Sequence, residues 1–534
     1  MFKQEFSLER RNATVGVSCF VRVRNFKSPV RIVAAILWRS RETQGRRARK
    51  RTQEIRQLKK IIQRQQQTIR EKDKQLAENN RRIAQREADN EALRKQPLRF
   101  PDDPPLPCHE YGPMMIAMCV ELVRRVGLRA APDVLKIVFD ALRIEVKKLP
   151  DWTTVRTWAL RVGVAAIERP IEPADDWIWF ADHSNQIGRE KVLSVLGIRA
   201  CRLPPPGRPL RHEDVRVLDL VVGTQWKREN MTEVYQQLAD RCGGPPLALI
   251  VDGAVELREG AEPLKKQRKT MLVLRDFKHY AANVLKKIVG ADERFQKFST
   301  QLGRTRSSVQ QTELAHFTPP GPQPKARFMN LASTLGWAMM ALWHLFHFRS
   351  AARLGITAKR MNEKLGWMRE YRDDIRSWNA CQNVVSAALT FINEQGVFAG
   401  AARQLRAHVR VRQRGVGNKD KGNNDSRRVL ARLLEFVRAT ESQLAAGQRL
   451  PLSTEILESS FGRYKRLERQ HSKGGFTSLL AAYGCLFQKS TPATIRRDFA
   501  QIPVKTMRAW VDQNLSKTLA AKRQLAYREF RNAN

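Results

Sequence analysis

Three acidic residues lie in settings that could build a metal site for phosphoryl-transfer chemistry. Asp182 follows the apolar run 177–181, Asp252 follows the apolar run 247–251, and Glu458 lies in a segment with helical periodicity. Short buried strands that each end in a carboxylate can aim hard oxygen ligands at one point, and a helix can add a third. Two Mg²⁺ ions held in this way can clamp the attacking and leaving oxygens of a phosphodiester. The three acids therefore predict a nuclease-type metal site.

Each of these acids also has a simpler explanation. An Asp after an apolar strand is often a turn former or a helix cap, and Glu458 could make ordinary ion pairs on a surface helix. We interpret Asp276, which also follows an apolar run, as a capping or supporting group of this kind. Glu455 competes with Glu458, because it lies one turn earlier on the same helix face. The joint placement of Asp182 and Asp252 is more informative than either residue alone.

The elements that must position the acids are predicted to form a mixed sheet. Strands are expected over residues 177–181, 192–198, 215–222, 247–251 and 271–274, with a helix over residues 231–241 between the third and the fourth. Three successive strands followed by helix, strand, helix and strand predict that the first three pair antiparallel and that crossovers join the later ones. In this order the first and fourth strands are neighbours, so Asp182 and Asp252 would lie side by side at the sheet edge.

The composition of the chain predicts a polyanionic partner. Its 534 residues, enough for several domains, include 97 Lys and Arg against 53 Asp and Glu, a net charge of +44. Nucleic acid fits this charge best, because basic side chains gain affinity by releasing counterions from phosphates. A membrane partner is not expected, since the apolar run at residues 32–38 is far shorter than the roughly 20 residues of a spanning helix. Seven scattered cysteines without a C-x-x-C pair predict reduced thiols in a cytosolic protein.

The N-terminal part of the chain carries a heptad pattern. Residues 1–45 are interpreted as a basic arm without an assigned fold, and residues 46–96 form a charged, Gln-rich run. In this run the apolar residues Ile55, Ile62, Ile69, Leu76 and Ile83 recur at every seventh position. They predict a coiled coil and a homodimer or higher oligomer, although polar d positions at 65, 72, 79 and 86 weaken the seam. A solvated single helix is the alternative. A Pro-rich linker at residues 97–113 is expected to follow as an extended spacer.

Residues 114–170 are predicted to form a helix-turn-helix domain that binds DNA. Helical patterns cover residues 114–126 and 132–148. A third helix is expected to be capped by Asp151 or Thr153 and to end at Gly163. In this motif small polar residues at the start of the last helix contact phosphates and base edges. The candidate DNA-binding residues are Thr153, Thr154 and Arg156. A three-helix bundle that enters no groove is the alternative.

Four segments within residues 177–480 carry a family resemblance. They are Asp182-His-Ser-Asn-Gln-Ile-Gly-Arg-Glu-Lys-Val-Leu, Ile250-Val-Asp-Gly, Arg275-Asp-Phe-Lys-His-Tyr and Glu455-Ile-Leu-Glu-Ser-Ser-Phe-Gly-Arg-Tyr-Lys. The chain here resembles the catalytic core of DDE transposases from bacterial insertion sequences. The resemblance implies a ribonuclease H-like fold and two bound divalent metals, Mg²⁺ or Mn²⁺. It also implies nicking of DNA at element ends and joining of the freed 3′ hydroxyl to a target.

By position, the resemblance implies that Asp182, Asp252 and Glu458 are the catalytic and metal-binding residues. The spacing from Glu458 to Lys465 also resembles one transposase signature, in which a Tyr and an Arg precede the Glu. Pro451 and Thr454 stand at those places here. The subgroup is therefore left open, and the assignment of the core does not depend on it.

The predicted core is divided in the sequence. Its first part spans residues 171–290 and its second part residues 451–490, and the intervening residues 291–450 are too many for a loop and are predicted to be an α-helical insertion. A basic helical tail is expected over residues 491–534. In the second part Lys465 follows Glu458 by two helical turns and so faces the same DNA strand. The expected DNA contacts there are Arg463, Lys465 and Arg466. A basic loop at residues 412–422 could follow a DNA backbone or be an exposed hairpin.

These features predict a multidomain α and α/β protein that acts as a DNA transposase by two-metal phosphoryl transfer. Its partners would be double-stranded DNA, as element terminal repeats and as target, and further copies of the chain. Its location would be the cytoplasm, in association with the nucleoid. The alternative is a catalytically inactive, transposase-derived DNA-binding or regulatory protein.

Overall fold

The computed structural model divides the chain into two compact units, residues 1–98 and residues 99–534. The described residues are 30–95, 100–144, 146, 148–187, 190–224, 226–321, 328, 331–347, 355–414, 424–469, 478–515 and 519–533. The first 29 residues of the predicted basic arm and most of the predicted basic loop lie outside them. The protein is mostly helical with a mixed five-stranded sheet, which agrees with the expected α and α/β multidomain class.

The described part of the first unit is one long helix, α1 (Val30–Lys95), of 66 residues. It begins well before the boundary predicted after residue 45 and passes through Gly45 without a break, because the surrounding Arg, Ala, Leu and Glu residues are strong helix formers. The apolar heptad side chains of this helix are each about half exposed: Ile55, Ile62, Ile69, Leu76 and Ile83.

Three helices open the second unit: α2 (Pro113–Val126), α3 (Ala130–Leu142) and α4 (Trp152–Ile167). The prediction that α3 continues to Lys148 is wrong. Arg143 adopts a left-handed conformation with φ of 53°, and its N–H donates to the carbonyl of Asp140, which ends the helix. The start of α4 is confirmed, since the Asp151 side chain accepts from the N–H of Thr153.

The prediction that Gly163 ends α4 is also wrong. A Cβ at Gly163 would lie 2.0 Å from the carbonyl oxygen of Ala481, and a Cβ at Gly484 would lie 2.2 Å from the carbonyl oxygen of Gly163. Both glycines therefore permit the close approach of α4 to a buried 3-10 segment, Ser478–Phe487. In α4 the glycine serves helix packing, and the helix continues to Ile167.

The part of the Pro-rich segment from residue 100 onward is packed against the first helices of the second unit, to which it belongs. Phe100 makes an edge-to-face contact with Phe139 at a centroid distance of 5.4 Å. Both carboxylate oxygens of Asp103 accept from the start of α2, at the N–H groups of Met114 and Met115. From residue 100 onward the segment is therefore not the free spacer that was expected, because it caps and covers the first helices.

The five strands agree closely with the predicted ones. They are β1 (Trp177–Ile187), β2 (Glu190–Arg199), β3 (Arg216–Gly223), β4 (Ala248–Val251) and β5 (Leu272–Arg275). Their order is β3-β2-β1-β4-β5, with antiparallel pairing among the first three and parallel pairing of β1 with β4 and of β4 with β5. The prediction that the first and fourth strands are adjacent is confirmed. Alternate strand residues enter the two hydrophobic clusters on opposite faces of the sheet.

Helices cover the faces and ends of the sheet and fill the long segment before Glu458. Those near the strands are α5 (Arg228–Cys242), α6 (Val255–Glu259), α7 (Glu262–Gln267) and α8 (Phe277–Ile288). Those of the predicted insertion are α9 (Glu293–Val309), α10 (Leu331–Phe346), α11 (Ala358–Leu365), α12 (Arg372–Gln395), α13 (Ala401–Arg414) and α14 (Asn424–Glu441). The helical character of the insertion is confirmed, and a short antiparallel pair, β6 (Val397–Phe398) with β7 (Arg449–Leu450), links the chain after α12 to the C-terminal end of the insertion.

The C-terminal part is α15 (Glu455–Glu468), α16 (Pro492–Gln501), α17 (Val504–Asn514) and α18 (Leu519–Ala533). The expected helical character from residue 491 onward is confirmed, but α16 packs on α2 and α4, and α17 packs on α4, so these two helices are part of the packed unit. Arg161 shows the reason, because its buried guanidinium donates to the carbonyls of Phe499 and Ile502. In the described part of the chain no helix is both long enough and apolar enough to cross a membrane.

A candidate carboxylate site at the edge of the sheet

Asp182 and Asp252 occupy matching positions on two neighbouring parallel strands. The pairing of β1 with β4 ends with Ala181 opposite Val251, so each Asp is the next residue of its strand. Adjacent strands lie about 4.8 Å apart, which makes the two residues close neighbours. The prediction that Asp182 ends its strand is wrong, because β1 continues to Ile187 in its pairing with β2. Only the pairing with β4 ends there.

The surroundings of Asp182 disfavour its charge. Burial is the largest cause and acts together with the nearby carboxylates of Asp252 and Glu458, against an opposing effect of His279, to raise the pKa of this carboxyl group from 3.8 to about 7. Three acids from a strand, a strand end and a helix therefore share one electrostatic neighbourhood. Glu455, the competing residue one turn earlier, is exposed and does not contribute to this shift.

Backbone geometry fixes Asp252. Its Oδ1 accepts from the N–H of Ala254 at 2.7 Å, which forms a tight turn after β4. Gly253 between them has a φ of 101°, and a Cβ there would lie 2.7 Å from the Nε of Arg275 at the end of β5. A residue other than glycine would therefore be strained in the turn and would push against Arg275.

Glu458 is held by a cation from α8. Its Oε2 accepts from the Nζ of Lys278 at 2.6 Å, and its Oε1 lies 4.0 Å from Nδ1 of His279. The Oε1 atom is buried and has no hydrogen-bond partner among the described residues. Glu455 lies 3.9 Å from Lys278 and accepts a hydrogen bond from the side-chain amide of Asn393.

Asp276 joins the end of β5 to the helix that carries Glu458. Its fully buried carboxylate accepts from the N–H of His279 at 2.8 Å, from Nδ1 of His279 at 2.6 Å and from the N–H of Thr454 at 2.9 Å. The N–H of Phe277 donates to the carbonyl of Leu452 beside it. The predicted role of Asp276 as a cap is confirmed, since it is the N-cap of α8. It also sets the start of α15, from which Glu458 projects one turn later.

His183 and Tyr235 also lie near the acids. The place of His183 beside Asp182 in the sequence leaves both a structural and a supporting role open, whereas no pattern predicts a role for Tyr235. The buried Nε2 of His183 and the buried hydroxyl of Tyr235 have no hydrogen-bond partner in the described part of the chain. The ring of His183 lies 4.9 Å from that of Trp226, and burial lowers the pKa of this histidine, so it is neutral at pH 7. Tyr235 comes from α5, and its position in the apolar stripe of that helix gave no signal beyond core packing.

The donor chemistry of the site fits a hard divalent cation, while its arrangement is not a formed cage. Carboxylate oxygens are the preferred ligands of Mg²⁺, and an orphaned Glu458 oxygen and an Asp182 with a raised pKa are groups that a cation would stabilise. Among the described residues, however, no group of three or more His, Cys, Asp or Glu side chains is arranged to hold a metal ion. The Lys278 ammonium already occupies one oxygen of Glu458.

The predicted DNA-binding residues differ in their exposure. Thr153 is exposed at the start of α4, whereas Arg156 is half-buried and donates to Ser478 of the buried 3-10 segment. From Trp158 to Ile167 every residue of α4 is buried, so only its first turn and a half reaches the surface. On α15, Lys465 and Arg466 are exposed. Thr154 and Arg463 are half-buried, and burial together with neighbouring arginines lowers the pKa of Arg463.

No known protein-family model matches the chain. No curated protein matches its sequence significantly.

Proposed function

We propose that the protein is a DNA transposase of the DDE type, which nicks the ends of its element and joins the freed 3′ hydroxyls to target DNA. In this proposal the five-stranded sheet is a ribonuclease H-like core, and residues 291–450 are an insertion that separates Glu458 from the two aspartates. The strand order β3-β2-β1-β4-β5 with its antiparallel and parallel pairs supports such a core.

One observation carries the proposal. Asp182 and Asp252 follow directly on the last paired residues of two parallel strands, and Glu458 from a distant helix is close enough to act on Asp182. An acidic cluster of this kind is costly unless a cation or a proton balances it. A protein with a net charge of +44 has many cations that could have neutralised the site, yet the described ion pairs to these three carboxylates come from Lys278 and His279 and reach Glu458 rather than the two aspartates.

Within the proposal, Asp182 and Asp252 would hold both Mg²⁺ or Mn²⁺ ions and Glu458 would hold one. When bound, the ions would supply Lewis-acid stabilisation of the attacking and leaving phosphate oxygens. The chain itself supplies the positions: Asp276 fixes the start of α15 and orients His279, and the turn at Gly253 fixes Asp252. The Oε1 atom of Glu458 could serve as a ligand while Oε2 keeps its bond from Lys278. If Lys278 released Oε2, its ammonium would be free to contact a DNA phosphate.

The proposed partners follow from charge and from the helices outside the core. Exposed Lys465 and Arg466 lie two turns beyond Glu458 on the same helix and would contact the DNA backbone. The first turn of α4, with Thr153 and Thr154, would act as the start of a recognition helix. We further propose that α1 forms a coiled coil with a second copy, and that the protein works in the cytoplasm at the nucleoid.

A nicking assay tests the proposal. The substrate is a supercoiled plasmid that carries the terminal repeats flanking the gene, incubated with the full chain and Mg²⁺. Asp182→Asn should abolish nicking and leave DNA binding unchanged, and Glu455→Gln should retain most of the activity. Normal nicking by the Asp182→Asn variant would refute the assignment.

The Lys278–Glu458 ion pair favours a second candidate function. An ammonium that neutralises the third carboxylate would suit a transposase-derived protein that binds DNA without cutting it. In that case the wild-type chain would bind the terminal repeats but would not nick them with Mg²⁺ or with Mn²⁺. Lys278→Gln would not alter this result.

A further inference from the structure

A dense basic segment lies on α1 immediately before its heptad residues. Residues 39–51 contain seven arginines and lysines and one acid, Glu42. The basic side chains are Arg39, Arg41, Arg46, Arg47, Arg49, Lys50 and Arg51, and all are exposed. The described ion pairs of this segment include only Arg46 with Glu42, between side chains that are 79% and 41% exposed. Such a concentration of uncompensated charge on a helix is a footprint for a phosphate backbone.

The same helix continues without interruption into the heptads. The first a position, Ile55, follows the basic segment by four residues, and the helix is continuous through both parts. Isoleucine at a positions with leucine at a d position, here Leu58, favours two strands. About half of each a side chain is exposed in the single chain, so a partner helix is needed to cover them.

Charge pairs in the heptads indicate a second copy of this chain in parallel and in register. With Ile55 as an a position, Glu54 is a g position and Lys59 is the e position that faces it across a parallel dimer. Arg82 and Glu87 form the same combination of opposite charges near the other end, although Arg82 also pairs with Glu78 on its own helix. No g–e′ combination between residues 54 and 87 brings like charges together.

The cationic d positions are compatible with this arrangement. Lys72 and Arg86 would each face the identical residue of the partner helix across the seam, and this repulsion of like charges weakens the dimer. Each is followed at the e position by an acid, Asp73 and Glu87, which lines the hole that receives the partner's d side chain. The seam is therefore expected to hold a modest dimer that DNA binding reinforces.

We propose that two copies of α1 pair in parallel through residues 54–93, and that their two basic segments diverge to grip duplex DNA on opposite sides. Thirteen helical residues extend about 20 Å, which matches about six base pairs of a DNA strand at about 3.4 Å each. The proposal rests on the DNA partner proposed above but not on the nuclease chemistry. It assigns α1 a binding site of its own, separate from the contacts expected on α4 and α15.

A DNA-binding measurement tests the grip. The full chain is titrated, with EDTA present, against a fluorescent 30-base-pair duplex over a series of salt concentrations. The variant Arg46→Gln, Arg47→Gln, Arg49→Gln and Arg51→Gln keeps helix propensity and removes four charges per copy. We expect its affinity to fall at least tenfold. Each phosphate contact contributes roughly 0.9 to the slope of log affinity against log salt concentration, and the variant should lose the contribution of at least about two contacts.

A matched control removes the same charge elsewhere on α1. Lys60, Arg70, Lys74 and Arg81 are exposed b and f positions outside the basic segment. Their fourfold replacement by Gln should weaken binding by less than about threefold, the effect of a general loss of charge. Equal losses in both variants would overturn the basic-segment site. Binding of the wild-type chain to anionic vesicles of phosphatidylserine in preference to the duplex would overturn the assignment to DNA.

Disulfide trapping tests the orientation independently of DNA. In a chain with Cys19, Cys108 and Cys201 replaced by Ser, Ile55→Cys and Ile83→Cys are introduced singly, and each should form a covalent dimer on oxidation. Lys60→Cys, at an outward f position, is the control and should not. Cross-linking only in a mixture of the two isoleucine variants would show an antiparallel pair, and cross-linking in neither would show a monomer. Either result would overturn the proposal while leaving the nicking assay to judge the catalytic one.

Discussion

The raised pKa of Asp182 predicts a specific pH dependence of stability. The folded protein holds the proton of this carboxyl group up to about pH 7, whereas the unfolded chain releases it near 3.8. The folded state therefore binds the proton more tightly, and the unfolding free energy falls as the pH rises from about 4 to about 7. Above that range the loss is complete and constant.

The size of this loss follows from the same two values. The difference between 3.8 and about 7 corresponds to about 4 kcal/mol of unfolding free energy. Asp182 keeps a minor exposed fraction, so water screens part of the effect, and we expect about 2–4 kcal/mol. Asp182→Asn has no charge to bury, so it should match the wild-type stability below the unfolded pKa of 3.8 and exceed it by this amount at pH 8.

The assay is urea unfolding of the full chain followed by tryptophan fluorescence. Ten of its eleven tryptophans lie in the second unit, so the signal reports chiefly the unit that contains the site. Asp512→Asn is the control, because this Asp is exposed on α17. A stability difference between Asp182→Asn and wild type that stays the same from pH 5 to pH 8 would refute the electrostatic reasoning.

The same experiment with a divalent cation tests the proposed metal site. A cation that binds beside Asp182 stabilises the folded state and lowers the cost of its negative charge. When Mg²⁺ replaces EDTA at pH 8, the wild type should therefore recover most of the unfolding free energy by which it is less stable than Asp182→Asn. If Mg²⁺ shifted both proteins equally, the electrostatic account would stand and the metal assignment would not.

Three further predictions concern the supports of the site and its surroundings. Asp276→Ala removes three hydrogen bonds from a buried hub and should cost about 3–5 kcal/mol in urea unfolding; an effect below about 1 kcal/mol would contradict the hub. Gly163→Ala should lower the unfolding free energy by about 2–3 kcal/mol through overpacking, whereas Gly303→Ala, on an open helix face, should raise it by about 0.5–1 kcal/mol. If both variants were stabilised, the close approach of α4 to the 3-10 segment at Gly163 would be unimportant. Burial lowers the pKa of His212 to about 4, so the folded state resists its protonation and stability falls as the pH drops below 6.5; His212→Gln should lose about 2 kcal/mol less than wild type between pH 7 and pH 5, and parallel pH profiles would contradict this.

Strand positions could be predicted because burial alone determines them. The runs at 177–181 and 247–251 are apolar throughout, and the structure buries every side chain of both except the half-buried Leu247 on one or the other face of the sheet. Their order then fixed which strands are neighbours, since short connections leave few topologies. Helix ends were predicted less well. The local pattern predicts a helix end at Gly163, yet the role of this glycine depends on a segment more than 300 residues away.

The partners of the acids could not be predicted for the same reason. Lys278 and Glu458 are separated by 180 residues, and nothing in either local sequence indicates their ion pair. Asp276 could be identified as a cap from the residues that follow it, but its bond to Thr454 depends on the return of the chain after the insertion. Local patterns predict what a residue does within its own element, whereas the electrostatics of a site depend on elements that only the fold brings together.

The balance of charge at the site explains why these partners matter. The acids are Asp182, Asp252, Asp276 and Glu458, and the described cations in contact with them are Lys278 and His279. His279 is directed to Asp276, which raises the pKa of the imidazole, and Lys278 is directed to Glu458. Both groups thus bond to other acids of the cluster, so when all four acids are ionised and His279 is protonated the cluster carries two uncompensated negative charges. A proton on Asp182 removes one of them, and a single divalent cation would remove both, which is why competition between proton and Mg²⁺ is the most direct measure of what the site is built to hold.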